Sequence, residues 1–408
     1  MLLNLQRKAV LCVEGIDEVG GIARYVQTLA LGLHDKGWDV HILATNFRGS
    51  YFDVMNATIR CHDLSGMKLS VGKIEHAAAL INELDPNIVV LNHCSLVQYA
   101  LPLLKPTVKP VAVVHSDDER FYDVATRCAR RVFRWIVPTK GMIGRCQEYL
   151  RVEDRRRIEV IPHGIRSNIF FPGKSRDTRI TKRIAFVGYL ETNKGAHLIP
   201  EIFAQVHAAF PGTHCTIVGE GPLLETIQSQ IRKRNLLSYC TFTGRLTQSG
   251  VADVLRGTDV FISPTEVESF GLAVGEAMLC GAVPVVTHLK GIFDELIEQG
   301  KTGVLVSERS ADAFGTAVVS LLKDPDRLKR MSAMAAEQGM KFLSFSRMVE
   351  EYIRIFEEGD DRRLSPVRGP VGWYLEIAGQ LLSPRGVNYK RLGQMARGVL
   401  RRTIGNER

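Results

Sequence analysis

Short apolar runs alternate with amphipathic stretches along most of the chain. Ala9–Val13, Asp39–Ala44, Ile88–Leu91, Val111–His115 and Trp135–Pro138 have the length and branched content of buried strands. Between the first two, Gly20-Gly21 precedes a run from Ile22 to Lys36 in which Val26, Leu29 and Leu33 share one face, and Gly37 ends it. That spacing predicts a helix with a glycine stop. The alternation breaks at Ile169–Lys182 (IFFPGKSRDTRITK), a polar, charged stretch carrying Pro172-Gly173, which reads as a linker. A second series starts at Ile184–Val187 and continues through Cys215–Val218, Cys240–Thr243, Val260–Ser263 and Val283–Thr287 to Gly303–Val306. Ser346–Glu358 reads as a helix. Strands alternating with helices imply βαβ units and parallel sheets. The expected organisation is an α/β chain with domains at 1–170 and 183–345, a linker at 171–182, a helix at 346–358 returning to the first domain, and a tail at 359–408. No repeat of fixed period is present.

Length supports two domains, since 408 residues with 45% hydrophobic content exceed one ordinary core. No apolar run reaches the roughly 18 residues a membrane-spanning helix needs. The N-terminal MLLNLQRKAVLCV reads as a leader into the first strand, with no cleavage site after it. The eight cysteines show no CxxC pair or metal-like spacing, and Cys12, Cys61, Cys94 and Cys215 lie in or beside apolar runs. Buried thiols in a reducing cytosol account for them better than a disulfide framework.

The net charge of +9 is uneven: +4 over 1–170, −1 over 171–359 and +6 over 360–408. Residues 120–170 alone hold 12 basic and 5 acidic side chains. Nucleic acid, an anionic membrane surface or plain solvated charge would each account for this. No recognised nucleic-acid module or aromatic RNA motif occurs, so no nucleic-acid partner is expected.

The most informative segment is SPTEVESFGLAVGEAM, Ser263–Met278. Asp259–Ile262 before it reads as a buried strand, and Ala273–Leu279 as the start of a helix. Phe270-Gly271-Leu272 forms the turn between them. The first N–H groups of a helix lack internal partners, so a strand, a turn and a helix start form an anion site. Glu268 and Glu276, eight positions apart, flank it with carboxylates suited to holding hydroxyls. Phosphate flanked by hydroxyls is the chemistry of a nucleotide sugar. A glutamate favoured by the helix dipole is the simpler account of Glu276, though it leaves the rest of the string unexplained.

Taken together, GGIARYVQTLALGLHDKGWDVHILAT, VVHSDDE, VIPHGIRSNIFFP, IAFVGYLETNKG, TIVGEGPL, FTGRL, ESFGLAVGEAM and GVLV occur in an order that resembles the retaining glycosyltransferases of family 4. The likeness runs from about Val13 to Glu358. It implies the GT-B fold: two Rossmann-like doubly wound α/β domains facing across a cleft, the first holding the acceptor and the second the nucleotide-sugar donor.

The resemblance assigns roles. His115 would touch the transferred sugar near its reacting carbon; a satisfied histidine at a sheet edge is the competing account. Lys194 would bind the donor diphosphate, where a fixed cation lowers the barrier as negative charge builds on the leaving group. Glu268 would face the sugar hydroxyls and Glu276 the ribose, while Phe270, Gly271 and Leu272 offer backbone N–H groups to phosphate. Gly20 and Gly21 would allow close backbone approach to the donor, although a plain strand-to-helix turn explains them equally. A dinucleotide fingerprint is disfavoured there, because the GxGxxG spacing is absent. Gly219 and Gly221-Pro222 would shape the same region.

The chain departs from the family at Gly188-Tyr189-Leu190, where an arginine usually follows the glycine. Tyrosine brings a hydrogen bond but no charge, and Arg245 and Lys290 are the candidate substitutes in the donor clamp. His163 and Arg166 replace an asparagine and an aspartate common in the family, in positions read as structural. No DxD pair sits in a strand-end loop, and Asp117-Asp118 has the wrong spacing. The expectation is therefore a metal-independent enzyme without a cofactor, with Lys194, backbone amides and a helix dipole in the cation's place. Family membership implies retention of anomeric configuration, by front-face attack assisted by the leaving phosphate.

The expected partners are a nucleoside-diphosphate sugar and a glycan or lipid-linked acceptor, in cell-envelope or exopolysaccharide synthesis. Arg127, Arg130, Arg131 and Arg134 in 120–170, and a basic amphipathic pattern over 387–404, suit an anionic membrane surface. Trp373 and Tyr374 suit the same level, while packing of that tail against the first domain is the alternative. The expected location is cytoplasmic, peripheral on the inner face of the membrane. Two other classes stay open: a sugar-nucleotide epimerase of the same fold, and a non-catalytic nucleotide-sugar-binding protein, which Tyr189 keeps in play.

Overall fold

Every pair of adjacent strands among the described residues is parallel. The computed structural model describes residues 7–17, 20–173, 182–360 and 362. The expected tail at 387–404, Trp373, Tyr374 and most of the linker lie outside these residues.

The chain divides into two units. Unit 1 takes the described residues up to Pro138, Met142–Ile161 and those from Val349 onward; unit 2 takes Thr139–Gly141 and Pro162–Met348. Unit 1 holds β1 (Lys8–Val13), β2 (Asp39–Ala44), β3 (Arg60–Asp63), β4 (Ile88–Asn92), β5 (Lys109–Val113), β6 (Arg134–Val137) and β7 (Ile158–Val160). Their order across the sheet is β3-β2-β1-β4-β5-β6-β7. Unit 2 holds β8 (Arg183–Val187), β9 (His214–Val218), β10 (Cys240–Gly244), β11 (Val260–Ser263), β12 (Val283–Thr287) and β13 (Val304–Val306), in the order β10-β9-β8-β11-β12-β13.

Both sheets are covered on two faces, which is why their central strands read as unbroken apolar runs. In unit 1, alternate residues Val10 and Cys12, Val89 and Leu91, and Trp135 and Val137 join one core with Ile74, Ala77 and Ile81 of the helix Val71–Leu84. In unit 2, Ile184 and Phe186, Cys215 and Ile217, and Val260 and Ile262 pack with Ile202 and Phe203 of the helix Ile199–Ala209. The opposite face carries Phe261 and Val286 against Val274, Ala277 and Met278 of the helix Leu272–Leu279. Period-2 alternation thus sends neighbouring residues of one strand into different cores.

Two strands escape sequence reading. Arg-Cys-His-Asp of β3 and Ile-Glu-Val of β7 carry no apolar run. Both sit at a sheet edge, with one paired neighbour each and less surface to bury. All eight cysteines are free.

Strand order fixes where each sheet opens a crevice. In each unit the first strand has later strands on both sides, so the connections leave it in opposite directions. The two loops at that point diverge and open a crevice at the strands' carboxyl ends. The switch falls between β1 and β4 in unit 1 and between β8 and β11 in unit 2.

Candidate active site

In unit 2 the switch point brings Lys194 and Glu268 together. Lys194 lies in the loop after β8 and Glu268 in the loop after β11. The Lys194 ammonium donates to Glu268 Oε1 at 2.5 Å, with side chains 29% and 23% exposed. The backbone holds the loops in register. Glu266 N–H donates to Asn193 O at 2.7 Å, and Thr265 Oγ1 donates to the same carbonyl at 3.3 Å. Gly195 closes the turn with φ +72, its N–H donating to Thr192 O at 2.9 Å. A Cβ there would stand 2.1 Å from Pro264 O, so a side chain would drive the loops apart.

Beyond Glu268 the chain enters its helix through Gly271, whose φ of +82 and ψ of 61 place it in the left-handed region as N-cap. No side chain caps this helix. Phe270 anchors the bend: its ring is buried and meets the His163 ring at 5.0 Å between centroids. Burial pushes the pKa of His163 down to about 3, so its ring is neutral at physiological pH. Glu276 is 1% exposed and is the fifth residue of the helix. It therefore lies just past the first turn, where dipole stabilisation of a carboxylate is weaker than at the helix start.

The other residues singled out for a donor clamp lie in the loops after β8, β9, β10 and β12. Gly188 N–H donates to Val218 O at 3.0 Å, and a Cβ on Gly219 would lie 2.0 Å from Gly188 O. Tyr189 is 49% exposed. Arg245 pairs with Glu220 at 3.0 Å, both on exposed ground. Lys290 is exposed after β12.

In unit 1, Gly20 caps the helix Gly21–Asp35 with φ +126, and a Cβ at Gly20 or Gly21 would meet nothing within 4 Å. His115 follows β5 and is buried. Its Nε2 lies 3.0 Å from Asn92 Oδ1. The Asn92 amide donates to Cys12 O at 3.2 Å and to Val90 O at 3.4 Å. With its N–H₂ so engaged, Asn92 accepts through Oδ1 from His115 Nε2. The Tyr25 ring meets His115 edge-on at 4.8 Å, and its hydroxyl hydrogen-bonds to Tyr352 on the helix Phe345–Glu357.

Sequence reasoning missed three residues here. Asn92 and His93 follow the apolar run Ile88–Leu91 at the carboxyl end of β4, where ligand-facing residues gather in open α/β sheets. His93 adopts φ +52, uncommon for a residue with a side chain, and stacks on Phe121 at 3.9 Å. Burial, and then Arg120 and Arg127, lower its pKa against the opposing pull of Asp118. The third is Arg309 beyond β13, which hydrogen-bonds to Pro264 O and Thr192 O; no sequence signal marks it.

The arginines of 120–170 are largely engaged within unit 1. Arg127 binds Tyr99 Oη at 2.6 Å and pairs with Asp123, Arg134 pairs with Glu358 at 2.9 Å, and Arg131 is buried. Of the four singled out from sequence, Arg130 is exposed. Among the described residues no helix is long and apolar enough to cross a membrane, and no cluster of three or more His, Cys, Asp or Glu side chains could hold a metal ion.

Two doubly wound parallel sheets, each opening a crevice at its own switch point, define a two-domain α/β architecture. The model described as "Glycosyl transferases group 1" matches residues 167–338, and "Glycosyltransferase Family 4" matches 19–168. The chain belongs to the family 4 glycosyltransferases, and its fold is that of the GT-B enzymes. It is 25% identical over 363 residues to the glycogen synthase of Mycobacterium tuberculosis, spanning 78% of this chain and 86% of that one. It is 30% identical over 189 residues to the GDP-mannose-dependent alpha-(1-6)-phosphatidylinositol monomannoside mannosyltransferase of Mycolicibacterium smegmatis, spanning 43% of this chain and 49% of that one. Among solved structures, Anabaena HepE in complex with UDP and glucose superposes with a TM-score of 0.71 at 16% identity, over 85% of this chain and 98% of that one.

Proposed function

We propose that this glycosyltransferase moves a sugar from a nucleoside-diphosphate donor to a hydroxyl of a glycan or lipid-linked acceptor, with retention and without a metal. The observation that carries the reading is the Lys194–Glu268 pair at the β8/β11 switch point. Without donor, the two side chains neutralise each other. An arriving diphosphate competes for the ammonium, which frees the Glu268 carboxylate to accept from sugar hydroxyls. As the anomeric bond breaks, charge grows on the leaving diphosphate and Lys194 stabilises it. The backbone N–H groups at Phe270, Gly271 and Leu272 add to that field. Glu276 reads the ribose, and His115, oriented by Asn92, lies against the transferred sugar.

Tyr189 stands where the family's second cation is usual, and Arg245 is its candidate replacement. Arg245 is already paired with Glu220, so it must exchange partners to serve. The names of the relatives, with UDP in one and GDP-mannose in another, support a nucleoside diphosphate and leave the base open. A role in cell-envelope or exopolysaccharide assembly fits the lipid and glycan products that such names imply. A peripheral membrane contact rests on 387–404, since most of the arginines singled out in 120–170 serve internal contacts.

Thermal-shift screening against UDP-, GDP-, ADP- and dTDP-sugars tests the donor assignment. At least one nucleotide class should stabilise the chain, and Lys194→Ala should reduce the shift. Nucleoside diphosphate release that depends on acceptor separates a transferase from an epimerase and from a binding protein.

A further inference from the structure

The two loops that carry Lys194 and Glu268 are tied by a side chain from a third element. Arg309 lies between β13, an edge strand, and the helix Ala311–Leu322, one residue before the N-cap Ser310. It reaches past β12 to the loops after β11 and β8. Its Nε donates to Pro264 O at 2.8 Å, and its Nη2 donates to Thr192 O at 2.8 Å. Its Nη1 lies 3.6 Å from Glu266 Oε2. Thr192 is two residues before Lys194 and Pro264 four before Glu268. The guanidinium carries five N–H groups in a rigid plane and can hold two diverging carbonyls at once, which a lysine ammonium does poorly.

We propose that Arg309 is a positioning residue for diphosphate recognition. It locks the 192–195 turn onto the 264–268 loop, so that Lys194 is already aimed at the distal phosphate of a nucleoside diphosphate before the ligand arrives. Ordering that loop in advance removes an entropic cost that binding would otherwise meet. The proposal rests on the donor reading above and deepens it: Arg309 acts through Lys194 and does not itself touch the ligand. The nucleoside and first phosphate are recognised elsewhere in the site and are indifferent to it.

The test measures binding of UDP, GDP and ADP, and of UMP, GMP and AMP, by calorimetry on the full-length chain. The proteins are wild type, Arg309→Ala, Arg309→Lys, Lys194→Ala and the Arg309→Ala/Lys194→Ala double variant. Arg309→Ala should weaken the preferred diphosphate about tenfold, the scale of one or two lost hydrogen bonds to a charged group. The matching monophosphate should stay within about twofold of wild type, and Arg309→Ala should add less than about twofold once Lys194 is gone. If Arg309→Ala does not fold, Arg309→Lys carries the test, with the same diphosphate-selective loss expected. Equal losses for mono- and diphosphate, penalties that multiply fully in the double variant, or wild-type diphosphate affinity in both Arg309 variants would overturn the assignment. Wild-type protein that binds no nucleoside diphosphate would sink the donor reading itself, and the role of Arg309 with it.

Discussion

The Lys194 ammonium rests 2.5 Å from Glu268 Oε1, although the two residues are 74 positions apart in the chain. Their partly shielded setting strengthens the attraction beyond that of a surface pair. The same contact compensates each charge in the absence of ligand.

If that lysine meets a departing diphosphate, its loss should fall on the chemical step. Lys194→Ala is expected to lower kcat/KM for the preferred sugar nucleotide by about 10²–10³-fold, the scale of a deleted transition-state donor. Steady-state kinetics on the purified chain measure it, and a loss below fivefold would remove Lys194 from the site.

Glu276 is shielded from water and is the fifth residue of its helix. If it reads a ribose, Glu276→Ala should weaken the preferred sugar nucleotide by roughly ten- to a hundredfold, the range for charged hydrogen bonds. Inorganic pyrophosphate, which has no ribose, should compete equally well in both proteins. Unchanged nucleotide affinity in the variant refutes the ribose assignment.

Asn92 holds the His115 ring through a 3.0 Å hydrogen bond. Asn92→Ala should cut turnover about five- to tenfold while nucleoside diphosphate affinity stays near wild type, because one neutral hydrogen bond is lost on the sugar side alone. A fall in nucleotide affinity that matches the fall in turnover would contradict this division of labour.

Gly195 combines a φ of +72 with a 2.1 Å approach to Pro264 O. Gly195→Ala should destabilise unit 2 by roughly 1–3 kcal/mol through backbone strain and lower the urea midpoint. A midpoint equal to wild type would show that the loops tolerate separation.

His163 has its pKa lowered by burial to about 3 in the fold, against an ordinary value of 6.5. The unfolded chain therefore binds the proton more readily, and stability contributed by the neutral ring is lost as pH falls. The window runs from about 6.5 down to about 3, with a slope near 1.4 kcal/mol per pH unit for a single proton. His163→Asn should flatten the acid limb of a urea-midpoint-versus-pH curve across that window. A curve parallel to wild type would show that the buried ring does not govern acid stability.

Much of this protein was legible in its residues. Continuous apolar runs such as Ile88–Leu91 and Val260–Ser263 marked strands buried on both faces, and the glycines at 37 and 271 marked a helix stop and a helix start. Local steric rules act over a few residues, so they survive without knowledge of the fold. The ordered set of motifs, with the string around Glu268 and Glu276 among them, carried the family, and each motif is short enough to be read locally. Edge strands β3 and β7 were silent, because one-sided pairing requires little hydrophobic area.

What only the tertiary structure decided is which loops meet. The order β10-β9-β8-β11-β12-β13 puts Lys194 beside Glu268, and the order in unit 1 puts Asn92 against His115. It also draws Arg127 and Arg134 into internal ion pairs and carries Arg309 from beyond the edge strand to the carbonyls of two distant turns. Strand order is a global property, set by which arrangement of all the helices and strands buries the most surface. No local window of the chain contains it.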